Sequence, residues 1–405
     1  MIASVRAKLG GQWVTLTYNE ATGRYEGELI PTKTSYHEEG GYFPVDVEAV
    51  NTDGETVSAG ADTLKALRLV VREVNAPTIA LVSPEPGYLR ESSQTFVFFA
   101  QDEEGGSGID PDSAKAFMDG LETPCTVSEE DGGYAITVQA DGLSEGSHTV
   151  AAAISDHDGN EASATAEYII DTIPPELAIY QPSLVHVVDQ DTVTIAGETG
   201  DASGVSLTIA GKAVGIIDGK FSAAVPLEIG ENRIPILAQD GAGNQSRAEV
   251  YMIRLVTDRT PADVERLQEI FARGYSNWTE EEKEWFRSAK CLRGSYDRLD
   301  YNRVGIAVRY LAGQLQARGY IAEVSPMAGW TGEDSVTRTP AGDYLRDVYI
   351  VRDAQGLYLG ELPVTMRFPT VDGANQIERA LVEVNALFPR HRALTSGQIT
   401  AGIYR

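Results

Sequence analysis

Apolar side chains recur at every second position along most of this chain, and the spacing changes once. Up to residue 255 the alternation comes in short runs broken by Gly, Asp and Asn, the pattern of half-buried strands joined by tight turns. Strands are predicted at 4–9, 12–18, 25–29, 43–50 and 67–74, then at 94–100, 114–118, 134–138, 148–154 and 165–170. A third group follows at 192–196, 205–209, 214–218, 221–225, 233–238 and 248–255. Beyond residue 255 the period lengthens to that of a helix. Thr260 can cap, Pro261 sits where the first helical N–H lacks a partner, and Val264, Leu267, Ile270 and Phe271 share one face before Gly274.

More helices are predicted after that seam. Thr279 and Glu282 form a capping box for a helix to about residue 290, with Trp285 and Phe286 facing inward. Asp300 is the expected cap of a helix running to Arg318, with Val304, Val308, Leu311 and Leu315 on one face and Gly319 as its stop. Two further helices are expected over 344–354 and 374–387. Residues 357–368 and the tail 395–404 read as strands.

The strand-rich part repeats. Residues 143–160, LSEGSHTVAAAISDHDGN, match residues 227–244, LEIGENRIPILAQDGAGN, in their Gly, their alternating strand and their final Asp-x-x-Gly-Asn turn. Repeats of this length, with about seven short strands each, point to tandem β-sandwiches of immunoglobulin-like architecture. The expected fold is therefore mainly β with a C-terminal α-rich domain. Three sandwiches are expected over 1–75, 76–173 and 174–256, followed by a helical head over 257–405.

Charge divides at the same seam. Residues 1–256 hold 14 Lys/Arg against 40 Asp/Glu, and residues 257–405 hold 19 against 20, so almost all of the net charge of −27 lies in the β part. That balance argues against a nucleic-acid partner, because phosphate contacts need Lys and Arg. No apolar run reaches bilayer-spanning length, and the N-terminus lacks the basic-then-apolar pattern of a signal peptide, so neither a membrane partner nor secretory export is expected. Cys125 and Cys291 fall on opposite sides of the seam, and neither has a second Cys nearby.

Catalytic motifs are not found. The five histidines make no H-E-x-x-H, Gly105-Gly106-Ser107-Gly108 lacks the strand and helix of a nucleophile elbow, and Gly241-Ala242-Gly243 lacks a dinucleotide fingerprint. No cofactor is expected, with calcium as the one ligand weighed. Asp156, Asp158 and Asn160, and separately Asp102, Glu103 and Glu104 with Asp110 and Asp112, could surround Ca²⁺ at millimolar affinity. The same residues are what β-turns require in any case, and the turn reading weighs more. Tyr18, Tyr25, Tyr36, Tyr42, Trp278, Trp285, Trp330 and Tyr358 are aromatic candidates for recognition, since such side chains give large contact area at low entropy cost.

Two resemblances sharpen these expectations. The row resembles bacterial and phage Ig-like repeats, on its Asp-x-x-Gly-Asn turns and its module openings APT (76–78) and PPE (174–176). The head is similar to a C-terminal segment of tail proteins from phages and prophages of Gram-positive, mostly clostridial, bacteria. The matching stretches are DRTPADVERLQ (258–268), W-T-E-E-E-x-x-W (278–285), LDYNRVGIAVRYLA (299–312), ANQIERALVEVNAL (374–387) and SGQITAGIY (396–404). The resemblance implies a non-enzymatic virion component near the tail tip or baseplate, made in the bacterial cytoplasm. It also implies other tail proteins as partners, a homo-oligomer, and the 304–315 helix as assembly element. The alternatives are a surface adhesin binding glycan or protein through its loops, and an enzyme with Ig-like accessory modules.

Overall fold

The computed structural model describes residues 1–405 except 184, 288–292, 332–337, 358, 367–369 and 403–405. It divides into two compact units, residues 1–173 and 174–405.

The first unit begins with six strands: β1 (Ile2–Leu9), β2 (Gln12–Asn19), β3 (Arg24–Glu26), β4 (Phe43–Asn51), β5 (Thr56–Ala59) and β6 (Arg68–Leu69). They form one antiparallel sheet in the order β3-β2-β1-β4-β5, with β6 on β4, where two facing sheets were expected over 1–75. The reason is a shortage of apolar strand. The expected strands 25–29 and 67–74 shrink to three and two residues, and residues 27–42 run as coil and turns. Only Val5, Leu9, Phe43 and Ala61 are fully buried apolar residues there, too few for a second layer.

Residues 76–173 are a two-layer sandwich. Its strands are β7 (Thr78–Ser83), β8 (Gly87–Leu89), β9 (Gln94–Gln101), β10 (Ile109–Met118), β11 (Leu121–Thr123), β12 (Cys125–Glu130), β13 (Gly133–Ala140), β14 (Gly146–Asp156) and β15 (Glu161–Ile170). One sheet runs β11-β10-β14-β15-β8 and the other β12-β13-β9-β7. Between them Phe96, Phe98, Ile136, Val150, Ile154 and Tyr168 are buried, the inward half of each alternating strand.

The second unit opens with the same plan: β16 (Glu176–Gln181), β17 (Val187–Val188), β18 (Thr192–Gly200), β19 (Val205–Ile209), β20 (Lys212–Val214), β21 (Lys220–Pro226), β22 (Gly230–Asp240) and β23 (Gln245–Arg254). The sheets are β16-β18-β21 and β17-β23-β22-β19-β20. In both sandwiches the opening segment is split: β8 and β17 cross to pair in parallel with β15 and β23. The repeated turn has one geometry. Asn160 N donates to Asp156 Oδ1 at 2.9 Å and Asn244 N to Asp240 Oδ1 at 2.8 Å, while Gly159 and Gly243 take φ of 93° and 92°. Asp, Gly and Asn recur because that hairpin needs an Asx acceptor and a left-handed residue.

Among the described residues, five α-helices complete this unit: α1 (Pro261–Ala272), α2 (Glu280–Arg287), α3 (Arg298–Gln316), α4 (Arg338–Asp353) and α5 (Val371–Gly402). Thr260 caps α1 in a capping box with Asp263. At α3 the cap is Asp297, not Asp300. Asp297 has extended backbone and accepts from Leu299 N, while Asp300 sits three residues in and accepts from Asp297 N. The tail expected as a strand continues α5 through Gly402, because each added helical residue gains its own hydrogen bond whereas a lone strand needs an edge to join. The described residues of 357–368 form no strand either; Leu362 and Met366 are anchors pressed into the helical core. Phe286, expected to face inward, is 47% exposed, and Phe271, on the apolar face of α1, is 48% exposed; both cap an aromatic group around buried Trp278. The Trp285 side chain lies outside the described residues.

Sandwich and head share one core. Val187, Ile253 and Leu255 of the β part belong to the same buried cluster as Val304, Val308, Leu311, Val348, Leu381 and Val384. The last strand therefore runs directly into the helices, without a free linker.

Candidate functional site

Two polar constellations stand out, one in each unit. In the first unit, residues 71–75 leave the six-stranded sheet and dock against two loops of the following sandwich. Glu73 is the pivot. Its amide donates to Asp158 Oδ2 at 3.0 Å, its carbonyl accepts from Asn160 Nδ2 at 3.3 Å, and its Oε1 accepts from the amide of buried Ser107 at 2.7 Å and from the Ser107 hydroxyl. Ser107 Oγ in turn accepts from Asp158 N at 3.1 Å. Asp102 Oδ2 accepts from Gly108 N at 2.7 Å, and Asn75 Nδ2 donates to Glu103 at 3.0 Å. Beside them Tyr36 stacks on His157 at 4.5 Å, nearly parallel.

Asp156, Asp158 and Asn160, the calcium candidates of the turn, are thus brought together, but their polar atoms hold the fold. Both Asp156 oxygens accept from Asn160, at 2.9 and 2.7 Å, and Asp158 and Asn160 grip Glu73. At the start of β10, Ile109 and Asp110 pair with Asp156 and Ser155, and the Asp110 carboxylate accepts from Asp112 N in a local Asx turn.

Electrostatics set Glu73 and Asp102 apart. Burial pushes the Glu73 carboxyl above its usual range, against the pull of its bonds to Ser107, and nearby Asp102 and Asp156 add to the rise. Burial likewise raises Asp102, with Glu103 and Asp156 contributing. Glu73 escaped the sequence reading, although a signal was present. An acid stands four residues before each module-opening proline, Glu73 before Pro77 and Asp171 before Pro175.

In the second unit, charges are buried where the strand enters the head. Arg259 donates to Asp300 at 2.7 Å and to Glu378 at 2.6 Å, and Arg303 reaches the same two carboxylates. All four residues are at most 5% exposed. Glu378 also accepts from Val256 N at 2.7 Å, and Asn385 accepts from the amides of His186 and Val187 at 2.9 and 2.6 Å. Two cations offset two anions, and the remaining acceptors satisfy backbone that the strand exposes on leaving its sheet. The helix face Val304, Val308, Leu311 and Leu315 is 0–1% exposed and is covered by α4 and α5. Its apolar surface is therefore spent inside the head. Trp278 and Trp330 are buried too, whereas Tyr18 and Tyr36 are exposed; Tyr358 lies outside the described residues.

Asp119, His148 and Ser144 resemble a catalytic triad only in composition. His148 Nδ1 lies 2.7 Å from Asp119, but Nε2 is closer to the Ser144 carbonyl, at 2.9 Å, than to its hydroxyl, at 3.4 Å. Burial opposes charge on the ring, yet its bonds to Asp119 and Ser144 raise its pKa, favouring an imidazolium that donates on both sides. Such a ring has no lone pair to act as base. The group pins Asp119, which holds a left-handed φ of 52° after β10. A cleft of about 1130 Å³ between α1, α2 and α3 is lined by charges of both signs, among them Asp263, Arg266, Glu281 and Arg293. Among the described residues no helix is long and apolar enough to cross a membrane.

Residues 175–254 match the family described as "Glucodextranase, domain B". Bacillopeptidase F of Bacillus subtilis is 30% identical over 105 residues, which is 26% of this chain and 7% of that protein. Similar solved structures include the fibronectin(III)-like modules of Clostridium thermocellum CbhA, at 14% identity and a TM-score of 0.32, covering 44% of this chain and 94% of that one. A bacterial ice-binding adhesin follows at 14% identity and 0.26, covering 63% and 87%. SGBP-B of Bacteroides ovatus, a structure solved in complex with a mixed-linkage heptasaccharide, is similar at 17% identity and 0.18, covering 62% and 60%.

Proposed function

We propose that this chain is a non-enzymatic spacing and attachment protein of a phage or phage-derived tail, working near the tip or baseplate with other tail proteins as partners. Its β-sandwiches set reach, and the helical head joins the particle as part of a homo-oligomer with the tail's symmetry. The observation that carries this reading is the seam of the second unit. Leu255 and Ile253 lie in the head's core, and Asn385 and Glu378 bond the backbone at β17 and Val256, so load passes from sandwich to head without a hinge. A part that transmits force benefits from such a joint; a catalytic domain carried on accessory modules has no need of it.

A second reading is favoured by the match of residues 175–254 to a glucodextranase domain: a surface adhesin that binds glucan through the loops of its sandwiches. Mass spectrometry of particles purified after prophage induction separates the two. The chain at a fixed ratio to tail proteins is expected. Its recovery only on cell walls, with retention on immobilised glucan, would replace the tail reading by the adhesin.

A further inference from the structure

We propose that this chain associates with itself through two different surfaces: the C-terminal end of α5 in one copy docks as a basic helix into the cleft between α1, α2 and α3 of the next. The last 22 residues, 384–405, contain Arg390, Arg392 and Arg405 and no Asp or Glu, in a chain whose net charge is −27. α5 continues through Gly402, so most of that stretch is helical, and Leu394 and Ile399 add apolar side chains to it.

The cleft suits such a segment in size, lining and charge. Among the described residues, α1 and α2 add nothing to the buried cluster that sandwich and head share, and about 1130 Å³ is left between them and α3. That volume is large for a small-molecule pocket and fits a helix laid in a groove. Leu267, Ile270, Leu299 and Ile306 give it apolar lining. Two of its cations are already engaged, Arg293 by Asp258 and Asp263, and Arg303 by Asp300 and Glu378. Exposed Glu228, Glu281 and Glu284 pair with no described Lys or Arg, against one exposed cation, Arg266. The charge left over in the cleft is therefore acidic, complementary to the arginines at the end of α5.

Within one copy the two surfaces lie apart. Arg303, which lines the cleft, donates to Glu378 of α5 at 2.7 and 2.9 Å. Gly402 follows 24 residues later in the same helix, which at about 1.5 Å per residue places it roughly 36 Å further along the axis. The end of α5 is thus carried away from its own cleft, and the match can be made only between copies. Because the two surfaces differ, each copy offers one and accepts one, the arrangement that closes into a ring.

This docking rests on the homo-oligomer of the tail reading and names its interface, yet the two fail separately: particle content is read by mass spectrometry, self-association by light scattering on the purified full chain. The parent should assemble as its concentration rises. Arg390→Glu with Arg392→Glu, and in a second variant Glu281→Lys with Glu284→Lys, should each weaken assembly about tenfold, because attraction between exposed charges becomes repulsion. Mixing the two variants should restore it, since the reversed tail of one then meets the reversed cleft of the other. A parent that stays monomeric would overturn the docking. So would either variant assembling as the parent does, or a mixture of the two, each with the parent's circular dichroism, that stays as weak as its parts.

Discussion

At the scale of single residues, this protein uses polar side chains chiefly to fasten backbone. Asn385 is the plainest case. Its Oδ1 serves two amides, and Asn385→Ala should cost about 1–3 kcal/mol by leaving His186 and Val187 N–H groups buried and unpaired. Denaturant unfolding of the second unit would measure the loss. Glu378→Gln strikes harder, because it leaves Arg259 and Arg303 facing a neutral group; about 3–5 kcal/mol is expected in the same assay. His148 gives a pH effect with a definite sign. Its pKa is raised on folding, so its contribution is full below about 6.5 and fades as pH climbs through the folded value. The first unit's melting temperature should fall as pH rises above about 6.5, and Asp119→Asn should flatten that slope. These fasteners were hard to see in advance. Asp300 looks like a helix cap and Glu378 like a solvated helix acid until the chain brings them together across 78 positions, with Arg259 between.

Elements were far more legible than their partnerships. β14 and β22 announce themselves by strict alternation ending in an Asp-x-x-Gly-Asn turn whose hydrogen bonds depend only on neighbours. The start of α1 was equally local, since Thr260, Pro261 and Asp263 act within one turn. What failed were stretches whose fate is decided elsewhere. Leu362 and Met366 alternate like a strand yet find no edge to join, and the helices claim them. The face Val304, Val308, Leu311 and Leu315 was legible as apolar, but what covers it, α4 and α5, was not. Val308→Pro should therefore act through the head's own stability, at about 3 kcal/mol or more, with loss of particle incorporation following from an unfolded head. Circular dichroism showing lost helix but retained β signal in the first unit would bear this out.

For the whole molecule, the chain's sharpest change in composition and period, near residue 256, is not where its two compact units part; that division falls at 173. Helices and last sandwich share buried residues, so calorimetry should show them melting in one transition, and Glu378→Gln should shift both together. A boundary drawn from composition misleads here because a shared core leaves no mark in local periodicity.

The strand that ends inside the helices also fixes which piece can be exchanged. A graft cut at residue 257 would hand its recipient a sandwich with Val187, Ile253 and Leu255 laid bare, a sticky edge that invites aggregation. Recombination or engineering that respects solubility must move residues 174–405 as one cassette, so the head and its neighbouring sandwich are inherited together.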